Sequence, residues 1–308
     1  MRFLLPLLLL GTLCTGGRAQ PPRTTDATVP APVAPGYDFT APQLVGQLDG
    51  ELDEISGLST TADGNDELFA VQDELGKVYR LNARTGGLLW SIDFWKDGDY
   101  EGVEAVGPDI WVVKNTGTLY RIQHPGSPSQ NVTKFNTALT SENDVEGLAY
   151  DTRNNRLLLA CKRDASDDGN DKDGRYVYAF SLSTHALSAQ PVMAITRAAV
   201  TEHLSVCPLT AGYNKLRDFF LDRPEYDLAP SAIAIHPLTG QVFITSSVGK
   251  VLMVLSAEGE IEHLERLDKE FFPQPEGLAF TPDGTLYVST EAKKSAPARL
   301  YRLPYRAR

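Results

Sequence analysis

Beyond about residue 40, short apolar runs alternate with clusters of Gly, Pro, Asn and Asp. The runs are rich in β-branched and aromatic residues: LFAVQ (68–72), IWVVK (110–114), LLLAC (157–161), VFITS (242–246) and LYVST (286–290). This is a pattern of strands and turns. A shared phrase precedes each run: EISGLS (54–59), YEGVEA (100–105), VEGLAY (145–150) and PEGLAF (275–280). SAIAIH (231–236) is a fifth copy with Ala232 in place of Gly. The phrase glycines fall at 57, 102, 147 and 277, so with Ala232 the intervals are 45, 45, 85 and 45 residues. A third run follows in every unit: KVYRL (77–81), TLYRI (118–122), YVYAF (176–180), KVLMVL (250–255) and RLYRL (299–303). A looser fourth follows in most, such as LLWSID (88–93), NVTKF (131–135) and IEHLERL (261–267).

Four strands in about 45 residues is the size of one propeller blade. A lone blade has two apolar faces and no way to bury both, whereas radial stacking buries them. The repeat therefore predicts an all-β fold, a five-bladed β-propeller. The last unit ends after its third strand, and QLVGQL (43–48) supplies the fourth, so the N-terminal strand closes the last blade. The 85-residue interval leaves six blades as an alternative. Two insertions account for it better: the loop DASDDGNDKDG (164–174) and a small helical insertion at 196–223. In the latter, Leu204, Leu216, Phe219 and Phe220 stand among few β-branched residues.

The N-terminus changes the picture of where the propeller works. Arg2, the apolar stretch Phe3–Leu10 and the small residues around Ala19 predict a signal peptide over 1–19. Residues 20–36 read as a disordered Pro-rich linker and 37–308 as the propeller domain. No later segment is apolar enough for a transmembrane helix. The expectation is a periplasmic or secreted protein, with lipid anchoring to the cell envelope through Cys14 as the alternative. In an oxidising compartment Cys161 and Cys207 either pair or remain two buried thiols. The net charge is −11, from 40 acids and 29 bases. Such a surface repels nucleic acid and anionic membranes, and suits a cation or a basic partner.

The charge also has a pattern. The residue before the phrase glycine (or Ala232) is Ser56, Glu101, Glu146, Ser231 or Glu276, and two residues earlier stand Glu54, Asp99, Asp144, Ala229 and Gln274. Propeller inner strands line the axis, and alternate residues face one way. Glu54, Asp99, Glu101, Asp144, Glu146 and Glu276 are thus expected to converge at one mouth of the channel. The ends of the second strands return there, bringing Asp73, Glu74, Lys114, Lys162 and Glu291 as candidate ligand-binding residues. Clustered carboxylates repel one another unless neutralised, and an all-oxygen donor set matches Ca²⁺. The structural alternative is that each Glu caps the turn of its own blade. No His or Cys joins the set, which argues against zinc or copper. The acidic loop at 164–174 does not carry EF-hand spacing.

At these residues the chain resembles the SdiA-regulated (YjiK-like) family of exported bacterial proteins. The resemblance is carried by ELDEISGL, VQDELGKVYRL, GDYEGVE, DVEGLAYD, LLACK, SAIAIHPLTG, QPEGLAFTPDG and LYVSTE, and covers about residues 40–305. It implies a five-bladed propeller, distantly like NHL-repeat and phytase propellers, with Ca²⁺ bound at Glu54, Glu101, Glu146 and Glu276. Blade four departs from the pattern, since SSVGK (246–250) has no acid at the strand end. Three functional readings follow. One is a Ca²⁺-binding propeller that recognises a small anionic ligand or a protein at its axial face. A second is a Ca²⁺-dependent phosphoric ester hydrolase. The third is a protein-interaction platform built on the helical insertion.

Overall fold

A computed structural model of the chain describes residues 35–61, 66–163, 173–223, 225–293 and 296–307. The leader, most of the linker, Cys14 and most of the acidic loop lie outside the described residues. Strand β1 (Gln43–Gln47) comes first. Blade one is β2 (Ile55–Thr60), β3 (Glu67–Gln72), β4 (Lys77–Asn82) and β5 (Leu88–Asp93). Blade two is β6 (Tyr100–Val106), β7 (Asp109–Lys114), β8 (Leu119–Gln123) and β9 (Asn131–Phe135). Blade three has β10 (Val145–Asp151), β11 (Arg156–Cys161) and β12 (Gly174–Ser181). Its fourth strand comes in two pieces, β13 (Ala186–Leu187) and β14 (Met193–Thr196), both paired with β12. Helices α1 (Arg197–Val206) and α2 (Ala211–Phe220) follow, capped by the Thr196 and Thr210 side chains. They occupy the interval where a sixth blade was the alternative. Blade four is β15 (Pro230–Ile235), β16 (Val242–Ser246), β17 (Val251–Leu255) and β18 (Ile261–Arg266). Blade five is β19 (Pro275–Phe280), β20 (Leu286–Thr290) and β21 (Arg299–Leu303), completed by β1 antiparallel to β21.

Burial falls from axis to rim. Every residue of β19 is buried, whereas the outer strand β5 has no buried residue. The core is divided to match. Five buried apolar clusters each lie between two neighbouring blades, and the one between blades three and four also takes in α1 and α2. Cys161 belongs to the cluster between blades two and three, Cys207 to the one between three and four. Both are free, buried thiols. Packing begins slightly ahead of the boundary expected at 37, because the Arg306 backbone N–H donates to Gly36 O at 2.9 Å.

The phrase glycines are explained by how closely the inner strands approach one another. A Cβ on Gly57 would lie 2.8 Å from Gly102 Cα, and one on Gly102 would lie 2.9 Å from Leu148 N. On Gly147 it would meet Ile233 N at 3.0 Å, and on Gly277 it would meet Leu58 Cβ at 2.8 Å. Each inner strand is pressed against the next blade's backbone, so a side chain fits poorly there.

Candidate functional site

The residue before each phrase glycine, or before Ala232, sits at a register shift between the first and second strands. The shifts fall at Ile55/Gly57, Tyr100/Gly102, Val145/Gly147, Pro230/Ala232 and Pro275/Gly277. A bulge leaves its residue outside the ladder and re-aims the side chain. Where that residue is Ser, it staples the ring. Ser56 Oγ donates to Tyr100 O at 2.6 Å and Ser231 Oγ to Pro275 O at 2.7 Å, each reaching the next blade. Where it is Glu101, Glu146 or Glu276, the carboxylate enters the axial mouth.

A belt of backbone hydrogen bonds holds the flanking residues in place. Just past the second strand, the N–H groups of Asp73, Asn115, Lys162 and Glu291 donate to the carbonyls of Glu54, Asp99, Asp144 and Gln274. The carbonyls of Asp73 and Asn115 then accept from Tyr100 N and Val145 N of the following blade, at 3.1 and 2.8 Å. This belt carries both flanking sets to one rim. The resulting recess of about 260 Å³ collects eight carboxylates: Glu54 and Asp73 from blade one, Asp99 and Glu101 from two, Asp144 and Glu146 from three, Glu276 and Glu291 from five. Lys162 is the lysine that joins them.

Crowding dominates the electrostatics. Burial, and then the Glu146 and Asp99 carboxylates, push Glu101 up to about 10. Burial, Glu146 and Glu291 hold Glu276 well above the ordinary carboxylate range, even though Ser247 donates a hydrogen bond to it. Burial and Glu54 raise Asp73 to about 6; burial and Asp73 raise Glu291 to about 7. Burial raises Glu146 as well, against the pull of Lys162, whose Nζ is 2.8 Å from Glu146 Oε1. Burial works against the Lys162 ammonium, but Glu146, Asp144 and Glu276 outweigh it and raise its pKa. Arg163 pairs with Asp144 at 3.1 Å. Asp73 Oδ1 is buried with no hydrogen-bond partner.

Nine of the eleven expected site residues line this recess. Lys114 and Glu74 do not. Lys114 is the last residue of β7, and its Nζ lies over the Tyr100 ring at 5.7 Å. The mouth position in blade two belongs to Asn115, whose side-chain amide donates to Asp99. Aligned on their second strands, Asp73, Asn115, Lys162, Ser247 and Glu291 all stand one residue past the strand end. That alignment is the sequence signal separating Asn115 from Lys114. Glu74 lines a neighbouring depression with Glu51, Asp53 and Glu54.

The oxygen-only donor set and the unpartnered Asp73 oxygen suit a hard divalent cation. Among the described residues, however, no three His, Cys, Asp or Glu side chains are drawn into a ready-made metal cage. Among the same residues, no helix is long and apolar enough to cross a membrane.

The fold has many relatives among solved structures. Glutaminyl cyclase from Myxococcus xanthus is 12% identical, with 86% of this chain and 94% of that chain covered, at a TM-score of 0.52. A gluconolactonase from Xanthomonas campestris is 13% identical, with 82% and 72% covered, at a TM-score of 0.48. At such identities the likeness is one of fold. No curated protein matches the chain. The SdiA-regulated family model matches residues 33–167, which run from ahead of β1 to beyond β11, so the first half of the propeller is similar to that family.

Proposed function

We propose that this propeller is an exported Ca²⁺-binding protein that recognises an anionic ligand at its axial mouth. The observation that carries the reading is the meeting of eight carboxylates from four blades around one small recess, including the buried, unpartnered Asp73 oxygen. Glu101, Glu146 and Glu276 would hold the ion, with Asp73 and Asp99 beside them. Bound Ca²⁺ supplies positive charge that offsets their mutual repulsion and attracts a ligand oxygen. Blade four contributes Ser231 and Ser247 in place of acids, so the ligand has its approach on that side. Export fits the cation, because Ca²⁺ is plentiful outside the cytoplasm.

A specific observation favours recognition over ester hydrolysis. The hydrolase reading would have Lys114 or Lys162 hold the ester beside the Ca²⁺. Lys114 is turned away to Tyr100, and Lys162 is bound to Glu146. The test is calcium calorimetry on the metal-stripped chain, with thermal melting alongside. Ca²⁺ at about 100 times its Kd should stabilise the fold by about 2.7 kcal/mol. Glu101→Gln should abolish that gain. No heat and no change in melting would reject the reading, and turnover of an aryl phosphate lost in Glu101→Gln would replace it with the hydrolase.

A further inference from the structure

A second cleft opens beside blade four, and its charge is the reverse of the mouth. It encloses about 600 Å³ between α2, the β16–β17 turn and the end of β18. Lys215, Arg223, Lys250, Arg266 and Lys269 line it, against the carboxylates of Glu265 and Asp268. That is an excess of three positive charges on a chain whose net charge is −11.

The cations are gathered by construction. Phe219 of α2 carries two guanidinium groups over its ring, Arg223 at 5.1 Å and Arg266 at 5.7 Å. The turn Gly249–Lys250 has two successive residues of positive φ, +78° and +51°. A Cβ on Gly249 would meet the Phe219 ring at 2.4 Å, so only glycine lets the ring sit there. This packing sets Lys250 at the cleft beside the stacked arginines.

The acids present are already engaged. Asp268 Oδ1 accepts from the Glu270 backbone N–H at 2.9 Å, and Glu265 Oε2 is 3.2 Å from His263 Nε2. Asp227, just outside, pairs with Arg223 at 2.8 Å. Lys250 donates to the Ser247 carbonyl at 2.9 Å. Among the described residues, none of Lys215, Lys250, Arg266 and Lys269 has a carboxylate partner. Arg266 Nη1 is buried without a hydrogen-bond partner. A buried guanidinium N–H left unmade is costly, and a neighbouring like charge adds to the cost. Burial and Arg223 both lower the Arg266 pKa, as expected for a cation lacking its counter-ion.

We propose that this cleft is an anion-binding site for a tetrahedral oxyanion, the phosphoryl or sulfuryl group of a small organic ligand. Arg266 and Lys250 are its principal contacts, and Lys269 and Lys215 stand at its edge. A guanidinium fork and flanking ammonium groups match such an oxyanion, and the cleft has room for the rest of a ligand. The site is separate from the carboxylate recess and needs no divalent ion.

The experiment is calorimetry on the full chain, stripped of divalent ions on a chelating resin. It is titrated separately with phosphate, pyrophosphate and sulfate, with acetate at matched ionic strength as control. Binding of at least one tetrahedral anion in excess of acetate is expected. The phosphate and sulfate arms distinguish the two ligand sources. Arg266→Gln should weaken binding roughly tenfold or more, the loss of one charge-assisted contact. Lys269→Gln is exposed and cannot unfold the chain, and should weaken binding several-fold. Glu101→Gln should leave it unchanged. The site is refuted if no tetrahedral anion binds better than acetate, if both cleft variants bind like the parent, or if Glu101→Gln abolishes binding.

Discussion

Glu101 shows what the mouth asks of a single side chain. Its bulge aims it at the axis, and burial with Glu146 and Asp99 pushes its pKa up to about 10. Without a cation, burial and the neighbouring carboxylates favour its neutral acid form. Glu101→Gln copies that neutral form, so the metal-free variant should melt close to the parent while losing its response to Ca²⁺. The same shifts give the metal-free protein an unusual pH dependence. A carboxyl with a raised folded-state pKa holds its proton more tightly in the fold than in the unfolded chain. Its contribution to stability is complete below the unfolded value and is lost as pH rises through the folded one. The windows are 3.8 to about 6 for Asp73, 4.5 to about 7 for Glu291 and 4.5 to about 10 for Glu101. Metal-free protein should therefore melt several degrees lower at pH 8 than at pH 5.5, and saturating Ca²⁺ should shrink the difference. Equal melting temperatures at the two pH values would mean that the mouth carboxyls do not set the pH dependence. Much of this was legible in the sequence, because a residue fixed relative to a repeating glycine is fixed relative to the axis. Lys114 falls outside the recess because one residue along a strand turns a side chain to the other face, and a strand end read from sequence is uncertain by that much.

At the scale of the strand, the inner position decides how closely blades can approach. Gly102 faces the Leu148 backbone at a distance where a methyl group does not fit. Gly102→Ala should cost about 1–3 kcal/mol by overpacking, read as a lower denaturation midpoint. An unchanged midpoint would mean that the strands can part without loss. The same residue sits beside Glu101, so the variant should also weaken Ca²⁺ binding by displacing that carboxylate. Blade four already carries Ala232 at the equivalent position, and it is the blade that gives the mouth no acid. The glycine interval was readable because close approach leaves a mark at one position in every unit. The bulge was not, since its five residues are both Ser and Glu and share no chemistry. The split fourth strand of blade three was also hidden. β13 has only two residues and β14 four, too few for an alternating pattern to stand out.

For the whole molecule, the question is what keeps a ring of five blades from opening. Stacking is satisfied at four interfaces by chain order alone. The fifth joins blade five to blade one and needs the N-terminal segment. β1 pairs with β21 along Gln43–Arg302 through Gln47–Arg299, and Leu48 joins the apolar cluster between blades five and one. A second clasp lies ahead of it. The Tyr37 hydroxyl donates to Gly284 O at 2.6 Å, and its ring packs 5.5 Å from Tyr305 and 5.9 Å from Phe243. The two ends of the propeller are thus held together by a strand and by an aromatic cluster. Tyr37→Ala removes only the cluster's centre and should cost about 1–3 kcal/mol, less than a fully buried aromatic because the Tyr37 ring is partly buried, while the ring of blades stays shut. Starting the chain at Asp49 removes both clasps and exposes the edge of β21, an unpaired strand prone to association. That truncated chain should lose its single cooperative melt and self-associate, as seen by calorimetry with light scattering. A truncated monomer melting like the parent would show that the interfaces between blades hold the ring without either clasp.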